Sequence, residues 1–349
     1  MMPDRYISMK FLLKSLAGIV FVFLFNTLSA QQTPRFSQYI MNEFVINPAV
    51  AGADGRTSIN LSMRKEWIGF SKNSPETYSL SAQTRILKSP FRVFRKGSVN
   101  RLRERTKGRV GFGANLFNDK NGAIRRTGLE TTYAYHITGN NGQLSFGLTA
   151  SLVQLKFNSS DMVFKDNSTE VMQGVINQSA YIPDFGVGIN YLNRSFHIGA
   201  SVSHVFESPV VLGGSDYKSS EIGYKRDYFL IAALHKEFAN NPDWQYEPSV
   251  FVKMYDLLNF KGGYSGPGTQ VDFTYKLFYM NRYWMGAMVR TNADFGVMLG
   301  FKTLSDLYIS YAFDYGSNEL SRNSYGSHEI VLSKKFGDTA RRYLWLDRY

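Results

Sequence analysis

The chain has 349 residues, a formal net charge of +12, 15% aromatic residues, 30 glycines and no cysteine. The missing thiols exclude disulfides, thiolate metal sites and cysteine nucleophiles. A mean hydropathy of −0.25 resembles that of a soluble protein, yet a β-barrel conceals its apolar band in alternation and is not excluded by it.

Residues 1–30 have the layout of a secretory signal. Arg5, Lys10 and Lys14 precede the apolar run Leu16 to Phe25, and Leu28-Ser29-Ala30 ends in a small residue before Gln31. The run is shorter than the roughly 20 apolar residues of a spanning helix. No later segment reaches that length, so membrane residence would have to be through strands. Residues 31–56 then form an N-terminal periplasmic or plug segment.

From residue 57 to 336 the chain reads as about ten-residue strands of alternating polarity. Fourteen candidates lie near 57–69, 76–86, 109–118, 127–138, 143–156, 184–193, 195–206, 224–237, 246–256, 269–280, 282–291, 293–302, 307–315 and 326–336. The clearest is Asp294 to Lys302, with Phe295, Val297, Leu299 and Phe301 on one face and Asp294, Gly296, Met298, Gly300 and Lys302 on the other. The next segment sets Leu307, Ile309, Tyr311, Phe313 and Tyr315 against Tyr308, Ser310, Ala312 and Asp314. A period of two puts alternate side chains on opposite faces of a sheet. An apolar outer face with a small or polar inner one, an even strand count and a leader predict a transmembrane antiparallel β-barrel of about 14 strands. A soluble β-sandwich is the structural competitor. Residues 337–349 are left as a periplasmic tail.

The connections carry independent information. Gly139-Asn140-Asn141-Gly142, Asn193-Arg194 and Thr303-Leu304-Ser305-Asp306 are tight and read as periplasmic turns. The opposite set includes long excursions at about 157–183, 207–223, 257–268 and 316–325, as expected of outward loops. One connection breaks the rule. From Lys88 to Arg109 a turn expected to be short is long and basic, with Arg92, Arg95, Lys96, Arg101, Arg103, Arg105 and Lys107 among nine cations against Glu104 alone. Nucleic acid is a poor partner for a secreted barrel; a solvated charge run, or a periplasmic patch docking an acidic protein, cell wall or anionic headgroups, fits better.

Aromatics near strand ends (Tyr191, Phe196, Tyr228, Tyr246, Tyr255, Tyr279, Tyr283, Trp284, Tyr315 and Phe336) are expected to form interfacial girdles. Asp272, Lys276, Arg282 and Arg290 are expected to face a polar lumen. The five histidines are scattered. His197 and His204, seven apart, should face opposite sides of one strand, which argues against a shared metal. Ser203-His204 and Ser327-His328 are sequence neighbours and should point apart, so neither makes a catalytic dyad alone. Gly262, Gly263, Gly266 and Gly268 around Pro267 lack a following Gly-Lys-Ser/Thr and read as a flexible loop. No catalytic residue, metal site or cofactor is expected.

The mature N-terminus carries Phe36-Ser37-Gln38-Tyr39-Ile40-Met41-Asn42-Glu43-Phe44-Val45-Ile46-Asn47-Pro48-Ala49-Val50-Ala51-Gly52. This resembles the opening motif of the PorP/SprF family, outer-membrane components of the type IX secretion system of gliding and secreting Bacteroidota. Supporting stretches are Tyr224 to Leu230, Glu247 to Lys253, and Tyr311 to Asp314 leading into Gly326 to Ile330. The Lys88 to Arg109 segment and the tail after Phe336 depart from that pattern. Physically, Asn47-Pro48 favours an extended-to-turn geometry and Gly52 permits a positive φ. The motif is therefore expected as a plug or anchor at the barrel mouth, with a first edge strand as the alternative.

The resemblance implies a non-enzymatic role in exporting, or holding at the surface, adhesin-type cargo with a C-terminal type IX signal domain. It also implies periplasmic contact with ring or motor lipoproteins of the machinery. Partner-binding positions carried over from the motif are Phe36, Ser37, Gln38, Tyr39, Asn42, Asn47, Pro48, Ala49 and Gly52. The surroundings are outer-membrane lipid, and nucleic acid is not a partner. A passive channel or hydrophobic-solute transporter is the first alternative, and a rim hydrolase using His204 or His328 the second.

Overall fold

The computed structural model describes residues 36–70, 73–86, 109–139, 141–157, 179–208, 224–255, 269–291, 294–316 and 324–337. The leader, most of the basic segment (Arg92 to Lys107 included), much of the long outward loops and the tail beyond Gly337 lie outside the described residues.

The strands run in chain order as β1 Thr57–Lys65, β2 Glu76–Ile86, β3 Val110–Asn121, β4 Ile124–Thr138, β5 Gly142–Phe157, β6 Ser179–Asn193, β7 Phe196–Ser203, β8 Asp227–Leu234, β9 Lys236–Phe238, β10 Asn241–Tyr255, β11 Thr269–Tyr279, β12 Tyr283–Arg290, β13 Asp294–Lys302, β14 Leu307–Gly316 and β15 Ser327–Phe336. Each pairs antiparallel with its neighbour, β15 closes on β1, and β10 joins β11, so no end of the sheet is left open. β8 and β9 both pair with β10 in one register on either side of His235 and are one strand interrupted there; the β9–β10 register shifts only further along, between the Gln245–Glu237 and Asn241–Phe238 pairs. The wall therefore has fourteen staves and closes as a barrel.

Closure dictates which residues face where. In β13, Phe295, Val297 and Leu299 are each more than half exposed while Met298 is 3% exposed. They pair across to Tyr315, Phe313 and Tyr311, so the outward rows of β13 and β14 form one continuous apolar surface. Outward Leu148, Tyr181, Ile198 and Met285 extend that surface around the wall. Soluble sheets bury such rows; a bilayer covers them and leaves no backbone group unpaired.

Several expected placements need correction. Trp284 and Tyr255 face inward rather than joining a girdle: Trp284 lies against Gly300, and Lys253 Nζ sits 4.5 Å above the Tyr255 ring. Arg282 is exposed in the β11–β12 turn, whereas Asp272, Lys276 and Arg290 are buried in the lumen as expected. β3 and β4 run on past their expected ends to meet at Gly122-Ala123, so one connection at the loop-rich end is a two-residue turn. The tight-turn end holds residue 139, where Gly139 N–H donates to Gly142 O (2.8 Å), and Asn193, whose Oδ1 accepts from the N–H of Ser195 and of Phe196 (2.7 Å each). β1 starts and β15 finishes at this end, which is the periplasmic one.

Candidate functional site

The lumen is occupied by the chain's own segment Phe36 to Arg56. It forms a 3-10 stretch at Tyr39–Val45 and a single 3-10 turn at Pro48–Val50, not an edge strand. Asn47 is extended (φ −122°) and its Oδ1 accepts from Ala49 N–H at 3.1 Å. Pro48 opens the turn, where its missing N–H costs nothing. Gly52 takes φ +69°, the conformation a side chain would oppose.

The plug descends from the outer third of the barrel to its periplasmic end. At the top, Glu329 accepts from Ser37 N–H (2.7 Å) and Gln38 N–H (3.0 Å). Arg64 holds the same Glu329 at 3.1 Å, Asp314 at 2.7 Å and Glu66 at 3.0 Å, and donates to Ser37 Oγ at 2.9 Å. Ser37 Oγ also donates to Asp314. Midway, Tyr39 stacks on Phe251 with ring centroids 4.6 Å apart, and Glu43 meets His197 Nε2 at 2.9 Å. Asn42 Oδ1 accepts from Asn60 and Ser81, Asn47 Nδ2 donates to Ile189 O (3.1 Å), and Ser201 Oγ donates to Ile46 O (2.8 Å). Lower down, His136 Nε2 lies 2.9 Å from Ala51 O, and Gly52 N–H donates to Gln83 Oε1 at 2.9 Å. At the base Asp54 pairs with Lys335 and Arg56 with Asp306 in the β13–β14 turn.

Backbone-to-backbone contact makes the seal. A Cβ at Gly147 would run into Pro48 and Ala49, and one at Gly188 into the Asn47 side chain. Glycine there lets the wall touch the plug directly. Buried charge is tolerated because it is matched: Arg290 makes two bonds to Asp272 (2.9 and 3.0 Å), and removing either partner of such a pair costs several kcal/mol, about 3–5.

Among the described residues, cavities lie on opposite sides of the plug. The outer one, about 160 Å³, is floored by Phe36, Tyr39, Ile46 and Pro48 and ringed by wall residues from the outer half of the barrel. The inner one, about 50 Å³, lies between Glu43, Asp54, Asn190 and Lys335 near the periplasmic end.

The nine motif positions therefore meet the inner wall. Ser37, Gln38, Tyr39, Asn47, Pro48, Ala49 and Gly52 are buried, while Phe36 and Asn42 are half-buried. Alternation foresaw Asp272 and Arg290; it did not single out Arg64, Glu329 or His136, whose even spacing with buried neighbours was the available signal. His204 departs from the expected parity. β7 ends at Ser203, and a left-handed φ of +57° turns the His204 ring inward, 3.3 Å from Asp184 and stacked on Tyr224 at 4.4 Å. His328 faces outward and its Nδ1 lies 2.6 Å from the Tyr311 hydroxyl. Among the described residues no group of three or more His, Asp or Glu is placed to hold a metal ion.

The family model described as type IX secretion system membrane protein PorP/SprF matches residues 28–333. No curated protein matches the chain. Among solved structures, Omp33 of Acinetobacter baumannii is similar at 6% identity and TM-score 0.40, covering 82% of this chain and 100% of that one. BamA of Haemophilus ducreyi lacking POTRA domains 1–3 is similar at 11% identity and TM-score 0.38, covering 80% and 70%. A mutant porin of Rh. blastica follows at 10% identity and TM-score 0.31, covering 80% and 99%. Likeness this loose adds nothing to the strand ladder itself. Matched by one family model from before the plug into its last strand, this outer-membrane β-barrel belongs to the PorP/SprF family of type IX secretion system membrane proteins.

Proposed function

We propose that the protein is a non-enzymatic part of the type IX secretion and gliding machinery that holds exported adhesins, bearing a C-terminal type IX signal domain, at the cell surface. The occluded lumen carries this reading. A barrel filled from Phe36 to Arg56 by its own chain favours binding at its two rims over passage through its lumen. The loops 157–183, 207–223 and 257–268 take the cargo domain on the outer side. On the periplasmic side the Lys88 to Arg109 segment meets ring or motor lipoproteins through its charge. The motif residues Phe36 to Gly52 contribute to both contacts by bracing the wall from which the rims project.

Deleting 158–178, the part of that loop outside β5 and β6, while barrel insertion is preserved should release cargo into the medium; unchanged surface retention refutes the loop assignment. Crosslinking from 88–109 in cells should recover a secretion lipoprotein, whereas recovery of only peptidoglycan or lipid refutes a protein-docking patch. A passive channel is the second reading, favoured by the outward cavity and the charged lumen. It requires steady conductance from the purified barrel in a planar bilayer, where the plugged barrel should stay closed.

A further inference from the structure

We propose that the outer cavity receives one aromatic or branched-aliphatic side chain, carried on an extended peptide segment of the exported cargo. The proposal deepens the cargo-holding reading and rests on it.

Access comes first. The plug floors the cavity with Tyr39, Ile46 and Pro48, so an occupant enters from the external side and not from the periplasm. Size comes next. A volume of about 160 Å³ is close to the roughly 150 Å³ apolar cavity that accommodates a benzene ring in another protein. That is room for one large side chain, not a domain.

The wall then selects the chemistry. Its exposed atoms are mostly carbon, and its aromatic rings are stacked on one another: Tyr39 on Phe251 at 4.6 Å and Phe251 on Phe229 at 5.9 Å. Rings covered in this way offer edges to a side chain rather than free faces to a sugar. The cations around the cavity are matched by carboxylates, with Arg126 3.1 Å from Asp119, Lys253 3.5 Å from Asp227 and Arg290 2.9 Å from Asp272. Glu130, bonded by Asn115 at 2.8 Å, adds a further carboxylate, so no net positive charge is left to favour a phosphate or an acidic peptide. The lining also holds an orphan acceptor. Gln270 is 5% exposed, donates from Nε2 to Asp272 (2.9 Å), and has an Oε1 with no hydrogen-bond partner among the described residues. A buried orphan acceptor calls for a donor, and the backbone N–H of a peptide delivering the side chain supplies it.

The test uses the full-length protein in cells. Ser151 and Thr149 face the cavity from β5, while Leu152 faces lipid. Ser151→Trp or Thr149→Trp should fill the cavity and reduce cargo retention at the surface at least about tenfold, the scale of a lost interface anchor. Leu152→Trp should leave retention unchanged, and heat-modifiable migration should show all three barrels folded. A benzoylphenylalanine photocrosslinker in place of Tyr224, whose ring already lines the cavity, should capture a peptide from a protein that bears the C-terminal signal domain, joined near an aromatic or branched-aliphatic residue. Full retention in both tryptophan variants overturns the inference, as does crosslinking only to a glycan or to the protein's own chain. If removing the whole protein leaves cargo retention unchanged, the cargo-holding reading itself fails, which separates the two failures.

Discussion

Replacing Glu329 with alanine should free the top of the plug without opening the wall. Glu329 is fully buried and its carboxylate is the acceptor for both the Ser37 and Gln38 amides. A hydrogen bond to a charged group contributes about 1.5–3 kcal/mol, so losing two weakens the attachment of the plug's first turn by at least about 3 kcal/mol. At about 1.4 kcal/mol per factor of ten, local opening rises more than roughly 100-fold. The β15 ladder is backbone and stays, and Arg64 keeps Asp314 and Glu66. Hydrogen exchange of the purified barrel in lipid nanodiscs should show the loss of protection in a peptide covering 36–44 and none in one covering 327–336. Glu329→Gln keeps one carbonyl oxygen and should fall between. The reasoning is refuted if Glu329→Ala folds and exchange over 36–44 stays within about threefold of the parent, since the two amide bonds would then contribute little.

Three further expectations test the wall and the plug separately. Leu299→Arg places a charge on the lipid face, opposite Met285 and Tyr311, and should destabilise the barrel by about 2–4 kcal/mol in denaturant titrations from lipid vesicles; a change below about 0.5 kcal/mol would remove lipid from that face. Gly147→Ala should leave strand pairing intact but drive Pro48 and Ala49 off the wall, giving conducting openings in a planar bilayer where the parent is closed. Tyr39→Ala removes a buried stacked ring and should cost the plug about 3–5 kcal/mol of protection, whereas Tyr39→Phe should cost under about 1 kcal/mol because the hydroxyl lies 3.4 Å from Thr274 Oγ1, a long contact.

The wall was legible in the sequence because its physics is local. An outward residue must be apolar and its neighbours must not be, so Phe295 to Phe301 and Leu307 to Tyr315 declare their faces residue by residue. Alternation fails where the strand ends. His204 lies one residue beyond β7, and its positive φ reverses the side that parity assigns. Trp284 looked interfacial by type, but it faces inward because Gly300 on the next strand leaves room for its ring. The plug was half legible: Asn47-Pro48 and Gly52 announced their turns, and the motif's contacts with the wall were not visible. Ser37 meets Glu329 across 292 positions of sequence, and no pattern within a window reports such a pairing. Closing the barrel creates it.

Charge is divided along the chain in a way that assigns different work to its parts. Nine cations against one Glu lie between Lys88 and Arg109, so that stretch carries most of the net +12 and the remainder of the chain is close to balanced. In the lumen the balance is local, as with Arg64 among Glu66, Asp314 and Glu329. The basic stretch leaves the wall at Ile86 and re-enters it at Val110, both at the periplasmic end. Both ends of the stretch are therefore tethered at the periplasmic rim. Screening over about 8 Å at physiological ionic strength makes such a patch a contact device rather than a long-range attractor. Replacing Arg101, Arg103 and Arg105 with Glu should thus abolish co-purification of a periplasmic partner at low salt while leaving surface-held cargo on the opposite rim in place, and high salt should reproduce the loss with the parent protein. Co-purification that is indifferent to both salt and charge reversal would move the periplasmic contact away from this segment, to the short turns and the β9–β10 hairpin that share its end of the barrel.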